Sequence, residues 1–109
     1  NDPGNGFLYL FAAEAELELG HQQAALDWAL RAGSFMPGSA LAQAWIASIY
    51  ADMGDQPNAA KYVAASKTIS PAYAQRLADR KPPAGVPPRT WPRTRLLEGL
   101  RVAFAGPLG

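Results

Sequence analysis

The sequence contains no cysteine and one histidine, His21. The absence of cysteine excludes a disulfide framework and any zinc or iron-sulfur site built on thiolates. No apolar run approaches the roughly 20 residues that a membrane span needs. We therefore expect no membrane span within these 109 residues and a cytoplasmic location, or a periplasmic one for a longer parent protein.

Groups for catalysis are equally scarce. His21 follows Gly20 in a predicted turn, and no second histidine is present to share a metal ion. A nucleophilic triad needs a base gathered into a pocket, and His21 is the sole conventional base. The glycines lack the lysine and the preceding strand of a phosphate-binding loop. We therefore expect no enzyme activity, no cofactor and no metal site.

The charges divide the chain into an acidic body and a basic tail. Residues 1–75 contain three basic and seven acidic side chains, a balance of −4, whereas residues 76–109 contain seven basic and two acidic ones, a balance of +5. Arginine neutralises phosphate and tryptophan stacks on bases. The candidates for such a nucleic-acid contact are Arg89, Trp91, Arg93, Arg95 and Arg101. Because the acidic body would repel nucleic acid, we favour a tail that docks on that body.

What the sequence does contain is an internal repeat. A spacing of thirty-four positions separates Gly20 from Gly54, Ala13 from Ala47, Ala25 from Ala59, and Pro3, Pro37 and Pro71 from one another. A small residue in a first helix, glycine at a turn, alanine in a second helix and proline at the exit are typical of a helix-turn-helix solenoid. In these features the sequence resembles the tetratricopeptide repeat (TPR) family. The resemblance implies an all-α fold, a TPR-type solenoid of helical hairpins with a C-terminal capping helix and a Pro-rich tail.

The repeat predicts how the chain is divided. The expected parts are the end of an upstream repeat or linker (1–5), TPR unit 1 (6–39), TPR unit 2 (40–73), a capping helix (72–81), a Pro-rich connector (82–92), and a terminal amphipathic helix and tail (93–109). Residues 1–5 align with the exit of a repeat, so we expect a fragment of a longer array. Two units alone should leave apolar surface exposed, since repeats bury their faces against neighbours.

Capping signals predict the ends of the helices. Asn5, Ser39 and Asp55 are candidate N-caps because their side chains can accept hydrogen bonds from unpaired amides. Pro57 is tolerated in a first turn, where a missing amide hydrogen costs little. These signals predict helices over residues 6–19, 22–32, 40–53 and from Asp55 to about residue 68.

The TPR resemblance also implies a partner-binding groove. In that family a concave surface comes from fixed positions of the first helix of each unit, which correspond here to Phe7, Leu10, Phe11, Glu14, Leu17, Glu18, Leu41, Trp45, Ser48 and Asp52. TPRs that bind peptide carboxylates carry Lys, Arg and Asn there, and this set has none of them. An apolar partner is favoured instead: an extended peptide, a helix or another copy of the chain. The alternative is that an upstream repeat or the chain's own tail covers Phe7, Phe11 and Trp45.

The end of the chain carries a second resemblance. Residues 95–109 are similar to the closing run that follows the TPRs of bacterial class III adenylate cyclases and winged-helix membrane regulators, with matches in kind at Glu98, Gly99, Leu100, Arg101, Ala103 and Gly106. Phe104 and Ala105 interrupt that pattern. The similarity implies a regulatory region of a larger bacterial signalling protein.

We therefore predict a non-catalytic module for protein-protein interaction or self-association. The alternatives are a scaffold for an envelope or secretion assembly, and nucleic-acid contact through the basic tail.

Overall fold

The computed structural model is all-α, as predicted, and it describes residues 3–79, 99, 100 and 102–104. Five helices follow one another: α1 (Pro3–Glu18), α2 (Gln22–Phe35), α3 (Ala40–Asp52), α4 (Gln56–Ile69) and α5 (Pro71–Asp79). No strand occurs among the described residues. In this part of the chain, no helix has both the length and the apolarity that crossing a lipid bilayer requires.

Two glycines make the turns of two helical hairpins, a first of α1 with α2 and a second of α3 with α4. Gly20 and Gly54 have φ values of +86° and +81°, a left-handed conformation that glycine adopts without steric penalty. The glycine amides and the amides that follow them bond back to the preceding helix: Gly20 to Leu17 (3.0 Å), His21 to Glu16 (2.8 Å), Gly54 to Ala51 (3.0 Å) and Asp55 to Tyr50 (2.9 Å). This pair of bonds is the Schellman motif, which satisfies carbonyls at a helix end.

The three-dimensional structure repeats at the spacing seen in the sequence. α2 begins at Gln22 and ends at Phe35, and α4 begins at Gln56 and ends at Ile69, so both ends recur thirty-four positions later. The bonds that close these helices also correspond: Met36 N to Ala32 O and Ser70 N to Ser66 O, both 2.9 Å. The period in the sequence is therefore a structural unit of two helices, a glycine turn and an exit.

Side-chain caps form at two of the three predicted positions. The Ser39 hydroxyl accepts a hydrogen bond from the Ala42 amide (3.1 Å), and the Asp55 carboxylate accepts one from the Asn58 amide (3.3 Å). Pro57 lies in the first turn of α4. These caps satisfy amides that would otherwise lack partners at the start of each helix.

Small residues allow the helices to approach one another closely. α2 packs against both α1 and α3 and so joins the two hairpins. Ala25 and Ala29 of α2 and Ala44 and Ala47 of α3 have no exposed surface and share one apolar core. Larger side chains complete that core: Leu17, Leu26, Ile46, Ile49 and Val63.

Two polar contacts tie the same elements together. The Gln22 amide group donates hydrogen bonds to the backbone carbonyl (3.1 Å) and the carboxylate (2.7 Å) of Asp52, which joins the start of α2 to the end of α3. Within the second hairpin, the buried Ser66 hydroxyl donates to the Ala40 carbonyl (2.9 Å). Because both side chains find partners, the polar atoms between the helices cost little to bury.

Two predicted boundaries are corrected. α1 begins at Pro3, so Asn5 is inside the helix and is not its N-cap; proline is favoured at a first helical position because its missing amide hydrogen is not needed there. α2 runs to Phe35 and includes Gly33. A Cβ on Gly33 would lie 2.9 Å from Ile46 Cδ1 of α3. This glycine therefore allows α2 to pack closely against α3 and does not end the helix.

The other predicted elements fall partly outside the described residues. α5 begins at Pro71, one residue before the predicted capping helix, and is described as far as Asp79. The predicted Pro-rich connector (82–92) and the basic tail residues Arg89, Trp91, Arg93, Arg95 and Arg101 lie outside the described residues. They remain predictions.

The turn geometry predicts the effect of Gly54→Ala. The new Cβ would meet no atom within 4 Å, so the cost arises from the left-handed backbone alone. We expect the free energy of unfolding to fall by about 1–2 kcal/mol, measured by urea denaturation followed by circular dichroism. Gly38→Ala is the matched control, since its Cβ also meets nothing within 4 Å and its φ is not positive. Equal losses in both variants would contradict this account of Gly54.

Candidate partner-binding surfaces

One side of α1 exposes large apolar side chains. The exposed fractions are 45% for Phe7, 61% for Leu8, 60% for Phe11 and 68% for Leu19 in the turn that follows. Ala15, one helical turn after Phe11, is also exposed. We call these five residues the α1 face. Exposure of single apolar residues is ordinary, but a contiguous apolar stripe on one helix is typical of an interaction surface.

The opposite side of α1 belongs to the core. Leu10, Ala13 and Leu17 are at most 1% exposed, and their i, i+3, i+7 spacing places them on one side of the helix. Helix α1 is therefore apolar on two sides. One side packs inside the first hairpin, and the other is the exposed α1 face.

The residues predicted to line one groove are divided between core and surface. Leu10, Leu17 and Ser48 are fully buried, so they do not line a surface in this structure. The remaining predicted positions keep some exposure: Phe7, Phe11 and Glu18 are exposed, whereas Glu14, Leu41, Trp45 and Asp52 are half-buried. Leu10, Leu17 and Ser48 therefore belong to the core, and a groove formed by the other positions stays a prediction.

Comparison of equivalent positions shows what is unusual about the α1 face. One repeat length, thirty-four positions, takes Leu8 to Ala42 and Ala15 to Ile49. Ala42 and Ile49 of α3 are 0% exposed, and α3 packs on the first hairpin. Two exposed positions of the α1 face thus correspond to buried positions of α3. The equivalents of Phe7, Phe11 and Leu19 are half-buried: Leu41, Trp45 and Met53.

An aromatic cluster that the sequence did not predict borders the first hairpin. The Tyr9 ring lies 5.6 Å from the Trp28 ring and 5.3 Å from the Phe35 ring, between centroids. The Arg31 guanidinium lies over Trp28 at 5.1 Å from the ring centroid. Such contacts contribute about 0.5–1.5 kcal/mol beyond burial. The signal in the sequence was weak, because these rings come from two helices and share no spacing.

A second surface lies on the second hairpin and is occupied by the end of the chain. Leu100 and Phe104 are each 5% exposed and belong to the same core as Ile49 and Val63. A Cβ on Gly99 would lie 2.5 Å from the Ser48 carbonyl oxygen and would overlap its hydroxyl. The described residues 99, 100 and 102–104, which we call the terminal segment, therefore lie against α3, where only glycine fits next to Ser48.

The terminal segment leaves space beside it. A cavity of about 310 Å³ lies between α4 and the terminal segment and is lined by Gln56, Ala59, Ala60, Val63, Ala64, Lys67, Val102 and Ala103. The alanines of α4 and the small side chain of Ala103 account for the unfilled volume. We call the surface formed by Ser48 and these α4 residues the terminal slot. The terminal segment thus contacts Ser48 and borders α4, and it leaves Phe7 and Phe11 exposed. Docking of the basic tail residues on the acidic body stays a prediction, because those residues lie outside the described part of the chain.

The titratable groups that the structure describes do not converge on one site. His21 Nδ1 lies 3.0 Å from Glu16 Oε1 at the exposed turn of the first hairpin. No group of three or more His, Asp or Glu side chains in the described ranges could hold a metal ion. Burial raises the pKa of Tyr50, with Tyr62 and Asp55 adding to the shift. Because the folded state retains this proton longer, Tyr50 contributes stability below its usual pKa of 10.0 that is lost as the pH rises above it.

A scan of protein-family models, a search of curated proteins and a search of solved structures each found no match to this chain.

Mutations on the two sides of α1 should lower the stability by different amounts. Leu17→Ala should lower the free energy of unfolding by about 2–5 kcal/mol, because it opens a cavity at a site with no exposure. Phe11→Ala, at a side chain that is 60% exposed, should lower it by less than about 1 kcal/mol. Thermal or urea denaturation of the two variants measures the difference. A loss at Phe11 as large as that at Leu17 would place both residues in the core.

Proposed function

We propose that the chain is a non-catalytic protein-interaction module of the tetratricopeptide type. The proposal is supported by the recurrence of the glycine turns, the helix ends and their hydrogen bonds at the repeat spacing of the sequence. Helical-hairpin repeats of this kind bury their apolar faces on neighbours and present surfaces to partners. The sequence pattern and the packing of successive helices agree with this type of module.

The observation that carries the proposal is the contrast between α1 and α3. Leu8 and Ala15 are exposed, while their equivalents Ala42 and Ile49 are buried in α3, which packs against the first hairpin through α2. A helical surface therefore fits the α1 face in the way that the first hairpin fits α3. This makes the α1 face the interaction surface of the module and another helical unit its partner.

The partner that we propose is a second copy of the chain, joined through its own α1 face. An interface of this kind is self-complementary about a two-fold axis. Antiparallel packing of two α1 helices would bring Glu18 of each copy toward the N-terminal end of the other α1. A negative charge is favourable there because of the helix dipole. A foreign protein or peptide with an apolar segment is the alternative.

The end of the chain suggests the kind of protein to which the module belongs. The similarity of residues 95–109 to the runs that follow TPRs in bacterial signalling proteins supports a regulatory region, whose output domain would be an adenylate cyclase or a transcription regulator. No observation among the described residues favours an envelope or secretion scaffold. The residues proposed for nucleic-acid contact lie outside the described part of the chain.

Self-association is tested by light scattering after size exclusion over a range of concentrations. The mass of the full chain should rise from 11.6 kDa toward twice that value as the concentration increases. The double variant Leu8→Ser, Phe11→Ser should weaken the dimer by at least about tenfold. Each large apolar side chain contributes about 1.5–3 kcal/mol when fully buried, and about 1.4 kcal/mol corresponds to a factor of ten.

Ile69→Ser is the matched control. Ile69 is a large apolar residue, 39% exposed at the end of α4, and its replacement should leave the dimer unchanged. A wild-type chain that stays monomeric at every concentration would reject the second copy as partner. A dimer that survives the double variant would reject the α1 face as the interface.

A further inference from the structure

The terminal slot lies on the second hairpin, and beyond it the repeat pattern of the sequence does not continue. One repeat length after Ile46, Ser48 and Ile49 of α3, the sequence has Arg80, Pro82 and Pro83. These residues cannot supply the apolar helical face that α3 supplies to the first hairpin, since arginine is charged and proline disrupts a helix interior. Leu100 and Phe104 of the terminal segment supply buried apolar side chains on the second hairpin instead.

The contacts of the terminal segment define what the slot accepts. Gly99 lies so close to Ser48 that no Cβ fits. Leu100 and Phe104, one and five positions later, are buried, which is the i, i+4 spacing of one helical side. Val102 and Ala103, three and four positions after the glycine, border the cavity of about 310 Å³ along α4. The slot therefore holds a short helical segment that has glycine next to Ser48 and buried apolar residues one and five positions later.

We propose that the terminal slot is a docking site for an amphipathic helix of a partner protein, and that the terminal segment is its intramolecular competitor. The partner helix carries glycine against Ser48 and large apolar residues one and five positions later. At the third and fourth positions it carries larger apolar residues than Val102 and Ala103, which fill the cavity. An acidic group near Lys67, on the rim of the cavity, completes the match. This site is separate from the α1 face and does not depend on self-association there.

The unfilled cavity favours a foreign helix over the same segment of a second copy. A swapped terminal segment would leave the identical space beside Ala60 and Ala64, so it would gain no contact over the chain's own segment. A helix with larger side chains would fill the cavity, and it would gain dispersion contacts and buried apolar area that the chain's own segment does not make there. That gain is needed, because a tethered competitor acts at an effective concentration in the millimolar range.

The length of the intervening chain permits the terminal segment to leave the slot. Residues 80–98 separate Asp79 from Gly99. Fully extended, a chain of this length reaches about 60 Å, which exceeds the longest extent of the molecule, 36 Å.

Gly99→Val in the full chain tests the site, because the added side chain overlaps Ser48 and should expel the terminal segment. The probe is a fluorescein-labelled peptide of residues 93–104 with Val102→Leu and Ala103→Leu, called the filled peptide. Fluorescence anisotropy should show that Gly99→Val binds it at least about tenfold more tightly than the wild type, in which the terminal segment competes. The filled peptide should also bind about tenfold more tightly than the native peptide, since added methylene groups are buried.

Controls separate docking from general effects. Gly38→Val in the protein meets open space and should bind the filled peptide as weakly as the wild type does. A filled peptide that also carries Gly99→Val should not bind. The filled peptide should bind with equal affinity to the Gly99→Val protein and to the same protein that also carries Leu8→Ser and Phe11→Ser. The two proposals, for the α1 face and for the terminal slot, are therefore tested independently.

The opposite results would overturn the proposal. NMR chemical shifts report whether the terminal segment has left the slot. If Gly99→Val does not release the segment, the double variant Leu100→Asp, Phe104→Asp removes its two buried apolar side chains. A protein whose terminal segment is released and which still binds no peptide would show that the slot is not a docking site. Two results together would identify the occupant as the terminal segment of a second copy and not a foreign helix. The filled peptide would bind no more tightly than the native peptide, and Gly99→Val would convert a wild-type dimer to monomers.

Discussion

The structure depends on the close approach of helices at alanines that have no exposed surface. Ala13 of α1, Ala25 and Ala29 of α2, and Ala44 and Ala47 of α3 belong to one buried apolar core. A methyl group leaves little room between two backbones, so the helices make dispersion contacts along their length. Larger side chains then pack beside the alanines or at the edges, where rings such as those of Tyr50 and Tyr62 stack at 5.7 Å.

Because the helices pack in this way, a single hairpin cannot bury all of its apolar surface. α2 and α3 cover one another, and α4 receives α5 and the terminal segment, whereas the α1 face has no helix against it among the described residues. The two ends of the stack are therefore chemically different. One end presents large exposed side chains such as Phe11, and the other holds small ones such as Ala60 beneath a cavity. We therefore propose different partners for the α1 face and the terminal slot.

The local features of the fold could be predicted from the sequence, because their causes are local. Glycine at residues 20 and 54, the cap at Ser39 and the spacing of the α2 alanines each act within a few residues. The inward side of α1 could not be predicted, since a helix that is apolar on two sides gives no single period. Family positions placed Leu17 and Ser48 in a groove, and packing places them in the core. The position of the terminal segment was also beyond reach, because its apolar stripe identifies a helix and not the surface that it covers.

The second hairpin is covered by two elements that are attached very differently. Only Ser70 separates α5 from α4. Packing α5 against α4 therefore has a small cost in chain entropy. The terminal segment follows only after the whole of residues 80–98, and closing such a loop has an entropic cost that a short connection avoids. Its described anchors are two large side chains, Leu100 and Phe104, beside the cavity of about 310 Å³. A contact with few anchors and a long connection is the part of this fold that a better-fitting helix can replace without unfolding the rest.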